Sequence, residues 1–174
     1  MKTLRNLTIG LISIFLTMSA ALAQVSIGAG VSNLGGDGFD LTGGAIDATG
    51  KFNDYLGWSV SSQIGGSDSD GGLSADLDYF AAAKLRAGVT VGEGFLFLTA
   101  GYGSASLEAS ACYYGFYGGG CASDDGTISD YLYGVGFETF FGSQAKWGLG
   151  LEYNAGGGDF DDLDQVMGTI RYRF

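Results

Sequence analysis

Eight charged residues could do chemistry together: Asp47, Lys51, Lys84, Arg86, Glu138, Glu152, Arg171 and Arg173. Gln63 belongs with them. Each lies in a stretch where apolar residues alternate with small or polar ones, and each is assigned to the small, polar row. Five bases and three acids on one inward face suit two kinds of work. They could pass ions by exchanging partners, or they could lock to one another as a structural plug, since buried charges must be paired and hydrogen-bonded. Glu138 and Glu152 are the two carboxylates that could act as acid and base. No other catalytic apparatus is present. The chain has no histidine, which excludes a Ser-His-Asp triad and a His-ligated metal. It has no phosphate-binding loop and no dinucleotide fingerprint. The expectation is therefore a non-enzyme with no catalytic residue, no cofactor and no metal.

The elements that carry these residues repeat with a period of two, the mark of half-buried strands. Val25, Ile27, Ala29 and Val31 alternate with Ser26, Gly28, Gly30 and Ser32. Tyr131, Tyr133, Val135 and Phe137 alternate with Leu132, Gly134, Gly136 and Glu138, and Trp147, Leu149, Leu151 and Tyr153 with Gly148, Gly150, Glu152 and Asn154. Eight such segments are predicted, over 25–33, 39–52, 55–66, 78–91, 95–109, 128–141, 147–156 and 165–174. Short, turn-like connectors at 53–54, 92–94 and 142–146 take turns with mostly longer Gly-, Asp- and Ser-rich ones at 34–38, 67–77, 110–127 and 157–164.

Strands joined by short turns are antiparallel neighbours. One face of the resulting sheet is aromatic and aliphatic; the other is Gly, Ser, Thr and charge. Apolar outside and polar inside is the pattern of a membrane barrel. Lipid forces closure, because an open edge leaves N–H and C=O groups unpaired in hydrocarbon. The fold class is thus all-β: an eight-stranded antiparallel up-and-down transmembrane β-barrel. The chain has 33 glycines and no proline. Glycines such as Gly28, Gly136, Gly148 and Gly150 make room for large side chains in an interior barely wide enough to hold them. A closed ladder has no edge to host proline.

Residues 1–23 read as a cleaved signal peptide. Lys2 and Arg5 precede a mostly apolar run from Leu7 to Met18 that is too short to span a membrane, and Ala21-Leu22-Ala23 is a small-residue cleavage site before Gln24. The barrel domain is then 24–174. The full chain has a formal net charge of −11, and loss of Lys2 and Arg5 makes it more negative. A basic footprint for nucleic acid is absent. Cys112 and Cys121 close a short loop in a secreted chain and are expected to form a disulfide. Between them lie Tyr113, Tyr114, Phe116 and Tyr117. These rings either contact a partner or sit in an interfacial aromatic girdle. The long connectors hold most of the acidic residues, which either form a solvated rim or meet divalent cations.

The signal segment, the eight alternating stretches and the aromatic C-terminus resemble the small outer-membrane β-barrels of Gram-negative bacteria, the group of the OmpA transmembrane domain and the OmpX-like and opacity-type proteins. The most specific feature is the last strand, where Val166, Gly168, Ile170, Tyr172 and Phe174 form an every-other-residue row ending in Phe. The resemblance makes Ile170, Tyr172 and Phe174 an assembly signal for the barrel-assembly machinery. It implies an integral outer-membrane location, outer-membrane lipid and lipopolysaccharide as neighbours, and a monomer; with the sequence ending at Phe174, the peptidoglycan-binding domain of full-length OmpA is expected to be missing. It also implies a structural or surface role through the loops, with a host or surface partner, the alternative being a narrow porin-like channel. Barrel enzymes of this architecture rely on histidine.

Overall fold

The computed structural model describes residues 25–36, 39–70, 73–115, 118–142, 144–161 and 163–174. The expected signal segment, with Ala23 and Gln24, lies outside them. The strands are β1 (Val25–Gly36), β2 (Phe39–Lys51), β3 (Leu56–Ile64), β4 (Ser67–Asp70), β5 (Leu73–Val91), β6 (Gly94–Gly115), β7 (Gly118–Phe141), β8 (Trp147–Gly156) and β9 (Asp164–Arg173). All paired strands are antiparallel. The sheet runs β3-β2-β1-β9-β8-β7-β6-β5-β4, and a further pairing of β3 with β5 closes it. Eight strands make the ring, and short β4 lies against β5 beyond it.

Local chemistry fixes the short turns. The Asn53 side-chain oxygen accepts from the N–H groups of Tyr55 and Leu56, both at 2.8 Å, which reverses the chain between β2 and β3. Gly92, at φ +62°, supplies the left-handed residue of the β5–β6 hairpin. Closure is at the chain ends: Ser26 pairs with Arg173, and the Phe174 N–H donates to the Val25 carbonyl at 3.0 Å. Alternation then sorts the faces. Leu85 and Leu98 are each 65% exposed on the outer wall, whereas Lys84 and Arg86 beside Leu85 are 3% and 1% exposed.

Two expectations need correction. The connectors 67–77 and 110–127 are not loops. They hold β4, the start of β5 and the outer halves of β6 and β7. β5, β6 and β7 run for 19, 22 and 24 residues, against 10 each for β8 and β9. About ten residues cross a bilayer, so the outer parts of β4 to β7 project as a sheet. Above the lipid both faces meet water, and the apolar alternation that marks a membrane strand is lost. A bulge at Asp78 also shifts the register between Leu77 and Tyr79 and breaks the period.

The second correction concerns the interior, which is not polar throughout. Leu34, Leu41, Ala75, Leu77, Phe80, Ala82, Ala105, Leu132 and Phe160 form a buried cluster inside the end of the ring opposite the short turns. Phe160 is delivered by the β8–β9 connector. The 3-10 turn Gly158–Phe160 folds into the mouth, held by Gly156 N–H to Leu163 O at 2.8 Å and Gly157 N–H to Tyr131 O at 3.1 Å.

Candidate functional site

The interior charges form one neutral core and one separate pair of cations. Arg171, on β9, is 1% exposed. Its Nη2 lies 2.5 Å from Asp47 Oδ2 and its Nη1 donates to Glu138 Oε2 at 2.6 Å. Arg86 Nη2 donates to the same Glu138 oxygen at 2.9 Å. Asp47, Arg171, Glu138 and Arg86 therefore form a chain of charges linking β2, β9, β7 and β5. Every link skips one strand, because side chains on next-nearest strands converge toward the barrel axis. Lys84 pairs with Glu152 across the lumen, from β5 to β8. Asn154, Gln165 and Ser32 continue the network by hydrogen bonds of 3.1 and 3.0 Å.

Glycines build the space for this core. A Cβ at Gly28 would stand 2.0 Å from Asp47 Oδ1, and one at Gly150 would stand 2.4 Å from Arg171 Cζ. The arginine is threaded between two strands that have no side chain where it passes.

The register puts Gly148, not Glu152, across from Arg171, and Glu152 across from Met167. Four residues along a strand is about 13 Å, so Arg171 meets Glu138 and Asp47 instead, and Glu152 goes to Lys84. Gln63 is fully buried and donates to the Leu41 carbonyl at 2.7 Å. Lys51 and Arg173 sit at the short-turn mouth, stacked on aromatic rings. Lys51 Nζ is 4.0 Å from the Phe95 ring and Arg173 Cζ is 3.4 Å from the Phe140 ring.

On the outside of the same end, Trp147, Tyr172 and Phe174 form an edge-to-face run with centroid spacings of 5.2 and 5.3 Å. Ile170 is exposed on the outer wall above them. This is the aromatic girdle expected at a membrane interface.

At the far end, Cys112 and Cys121 face each other directly across the β6–β7 ladder. They are joined as a disulfide with a Cα–Cα distance of 4.1 Å. Tyr113 and Tyr114 lie at the hairpin end, opposite Gly120 and Gly119, while Phe116 and Tyr117 lie outside the described residues. The bond closes only the projecting hairpin, so Cys112→Ser with Cys121→Ser should leave the heat-modifiable barrel band on a gel unchanged. The loop-closure estimate is about 2–3 kcal/mol, all of it local. Protease should therefore nick the hairpin faster while the barrel core survives. A variant that lost the folded band would show that the disulfide supports the ring as well.

A closed antiparallel ring with an apolar outer wall, an aromatic girdle and a charge-filled lumen defines a small integral β-barrel of the bacterial outer membrane. The sequence agrees: residues 9–174 match the model of the outer membrane protein beta-barrel domain, and the chain belongs to that family. No curated protein is significantly similar to it in sequence. Among solved structures it is similar to Ail, the attachment invasion locus protein of Yersinia pestis, with a TM-score of 0.55 at 17% identity, over 87% of this chain and 97% of Ail. It is also similar to OprG from Pseudomonas aeruginosa, with a TM-score of 0.57 at 10% identity, over 88% and 96%. Neisserial surface protein A gives 0.51 at 16% identity, over 86% and 94%. At these identities the likeness is one of fold. Ail has also been solved with the heparin analogue sucrose octasulfate.

Proposed function

We propose that this is a non-enzymatic surface-interaction protein: a sealed barrel that anchors a projecting sheet outside the cell. The observation that carries the reading is the mismatch in strand length. A lumen filled by a neutral ion network and capped by Phe160 has little use for strands of 22 and 24 residues, whereas a platform held clear of the membrane does. Residues 1–23 act as the cleaved signal, the Ile170, Tyr172, Phe174 row addresses the chain to the barrel-assembly machinery, and the barrel works as a monomer among lipid and lipopolysaccharide.

The chemistry of the projecting sheet favours a cationic partner. Asp76 pairs across the ladder with Glu108, and Glu108 with Asp125, all three exposed. Like charges set directly opposite each other cost stability, and an approaching cation relieves that cost. A polyanion such as the one bound by Ail suits this face poorly. The test uses the refolded barrel in zwitterionic nanodiscs with an immobilised lysine-rich peptide and immobilised heparin. Salt-sensitive binding to the peptide and none to heparin is expected. Asp76→Asn, Glu108→Gln and Asp125→Asn together should abolish it, since they remove the three facing carboxylates. Equal binding by the triple variant would end the platform reading.

A narrow channel is the second reading. It is favoured by buried polar atoms along the inner wall of β3 that have no hydrogen-bond partner, namely Ser59 Oγ, Ser61 Oγ and Gln63 Oε1. Such groups normally hold water. Planar-bilayer recording separates the two: steady conductance that disappears in Glu138→Ala would establish the channel and overturn the sealed body.

A further inference from the structure

The charges inside the ring do not balance, and the imbalance has a place. Lys84 neutralises Glu152, while Arg86 and Arg171 neutralise Glu138 and Asp47. Lys51 and Arg173 are left over. Among the described residues neither forms an ion pair with a carboxylate; each instead rests on a ring, Phe95 and Phe140 respectively. Both are only partly exposed, and both line one cavity of about 220 Å³ at the short-turn mouth, with Glu138 on its inner side.

From this we infer that the periplasmic mouth of the barrel is a binding site for a phosphate-type dianion. Two half-buried positive charges on apolar ring faces lack the high dielectric that would make them cheap, and one doubly charged anion cancels both. The guanidinium fork suits two oxygens of a tetrahedral oxyanion, and the ammonium suits a third as a point charge. Three acids face the same space. Glu138 accepts from two arginines and is satisfied. Asp54 and Glu93 line the cavity on exposed turns, where water and salt screen them. They weaken attraction from a distance without occupying either cation. The phosphate could be free in the periplasm or be the phosphomonoester headgroup of an inner-leaflet lipid.

The experiment is an NMR titration of inorganic phosphate into the labelled, refolded barrel, first in nanodiscs of phosphatidylcholine. Saturable shifts confined to Gly94, Phe95 and Arg173 and their neighbours are expected. Lys51→Gln with Arg173→Gln should weaken binding about tenfold or more. A second set of nanodiscs containing phosphatidic acid, whose headgroup is a phosphomonoester, tells the sources apart. If a lipid headgroup fills the site, the same signals start out shifted and free phosphate no longer moves them. If free phosphate is the ligand, the titration is unchanged. Should the double variant refold poorly, Lys51→Gln alone carries the test, with the folded gel band as its control. No saturable shift in either lipid, or undiminished binding in a folded variant, would overturn the inference.

Discussion

Arg171→Met is expected to destabilise the barrel by about 3–5 kcal/mol, the usual cost of removing one partner from a buried ion pair. The loss is large because one guanidinium serves three partners. It lies 2.5 Å from Asp47, donates to Glu138 at 2.6 Å, and its Nε donates to Thr169 Oγ1 at 3.1 Å. Without it Glu138 keeps Arg86, but Asp47, 4% exposed, loses its ion pair and has no hydrogen bond on either carboxylate oxygen to fall back on. Urea unfolding in lipid vesicles reads the difference. Arg171→Lys should recover only part of it, since an ammonium cannot reach two carboxylates as a planar fork does. Adding Asp47→Asn to Arg171→Met should restore a further part, because the stranded charge is then gone; that non-additivity is the signature of direct coupling. If the two substitutions simply add, Asp47 and Arg171 are not a working pair and the charge chain from β2 to β5 is broken at that link.

The ring was legible in the sequence and the projecting sheet was not, and lipid accounts for both. Where a strand crosses hydrocarbon, one face must be apolar, and Trp147, Leu149, Leu151 and Tyr153 say so in every second position. Beyond the lipid no such rule holds. Ser110, Ser123 and Thr127 pair in good register yet read as a polar loop. The bulge at Asp78 hides the join between the two regimes. The eight interior charges were legible as a set, since each falls on the small-residue face. Their pairing was not, because hairpin register reports only adjacent strands, whereas every ion pair here joins strands that are not neighbours in the ring. The two surplus cations follow from that same pairing: five bases against three acids were countable in advance, but which two would be left over depends on where the side chains meet across the lumen.

Phe160→Ala is expected to cost about 3–5 kcal/mol, the range for emptying a packed phenylalanine site. Nothing in the local sequence Gly156-Gly157-Gly158-Asp159-Phe160 marks a core residue, yet Phe160 is fully buried. Its ring lies 6.3 Å from that of Phe80, within the cluster that fills the extracellular mouth. The glycines are what let it in. A Cβ at Gly157 would stand 2.0 Å from the Tyr131 ring, and one at Gly156 would stand 2.0 Å from the Phe160 carbonyl oxygen, so the connector can press flat against β7 and turn its one aromatic inward. The cavity left by alanine cannot collapse, because closed hydrogen-bonded strands surround it. Phe160→Leu, which keeps most of the volume, should cost far less. A second readout tests the cap itself. Ala82 lies in the same buried cluster, so a membrane-impermeant thiol reagent added outside cells should label Ala82→Cys only when Phe160 is also truncated. Conductance should stay closed even then, since the Lys84–Glu152 pair and the Arg171 network lie in series beneath. Labelling of Ala82→Cys with Phe160 intact would show that the mouth is open to solvent and that Phe160 seals nothing.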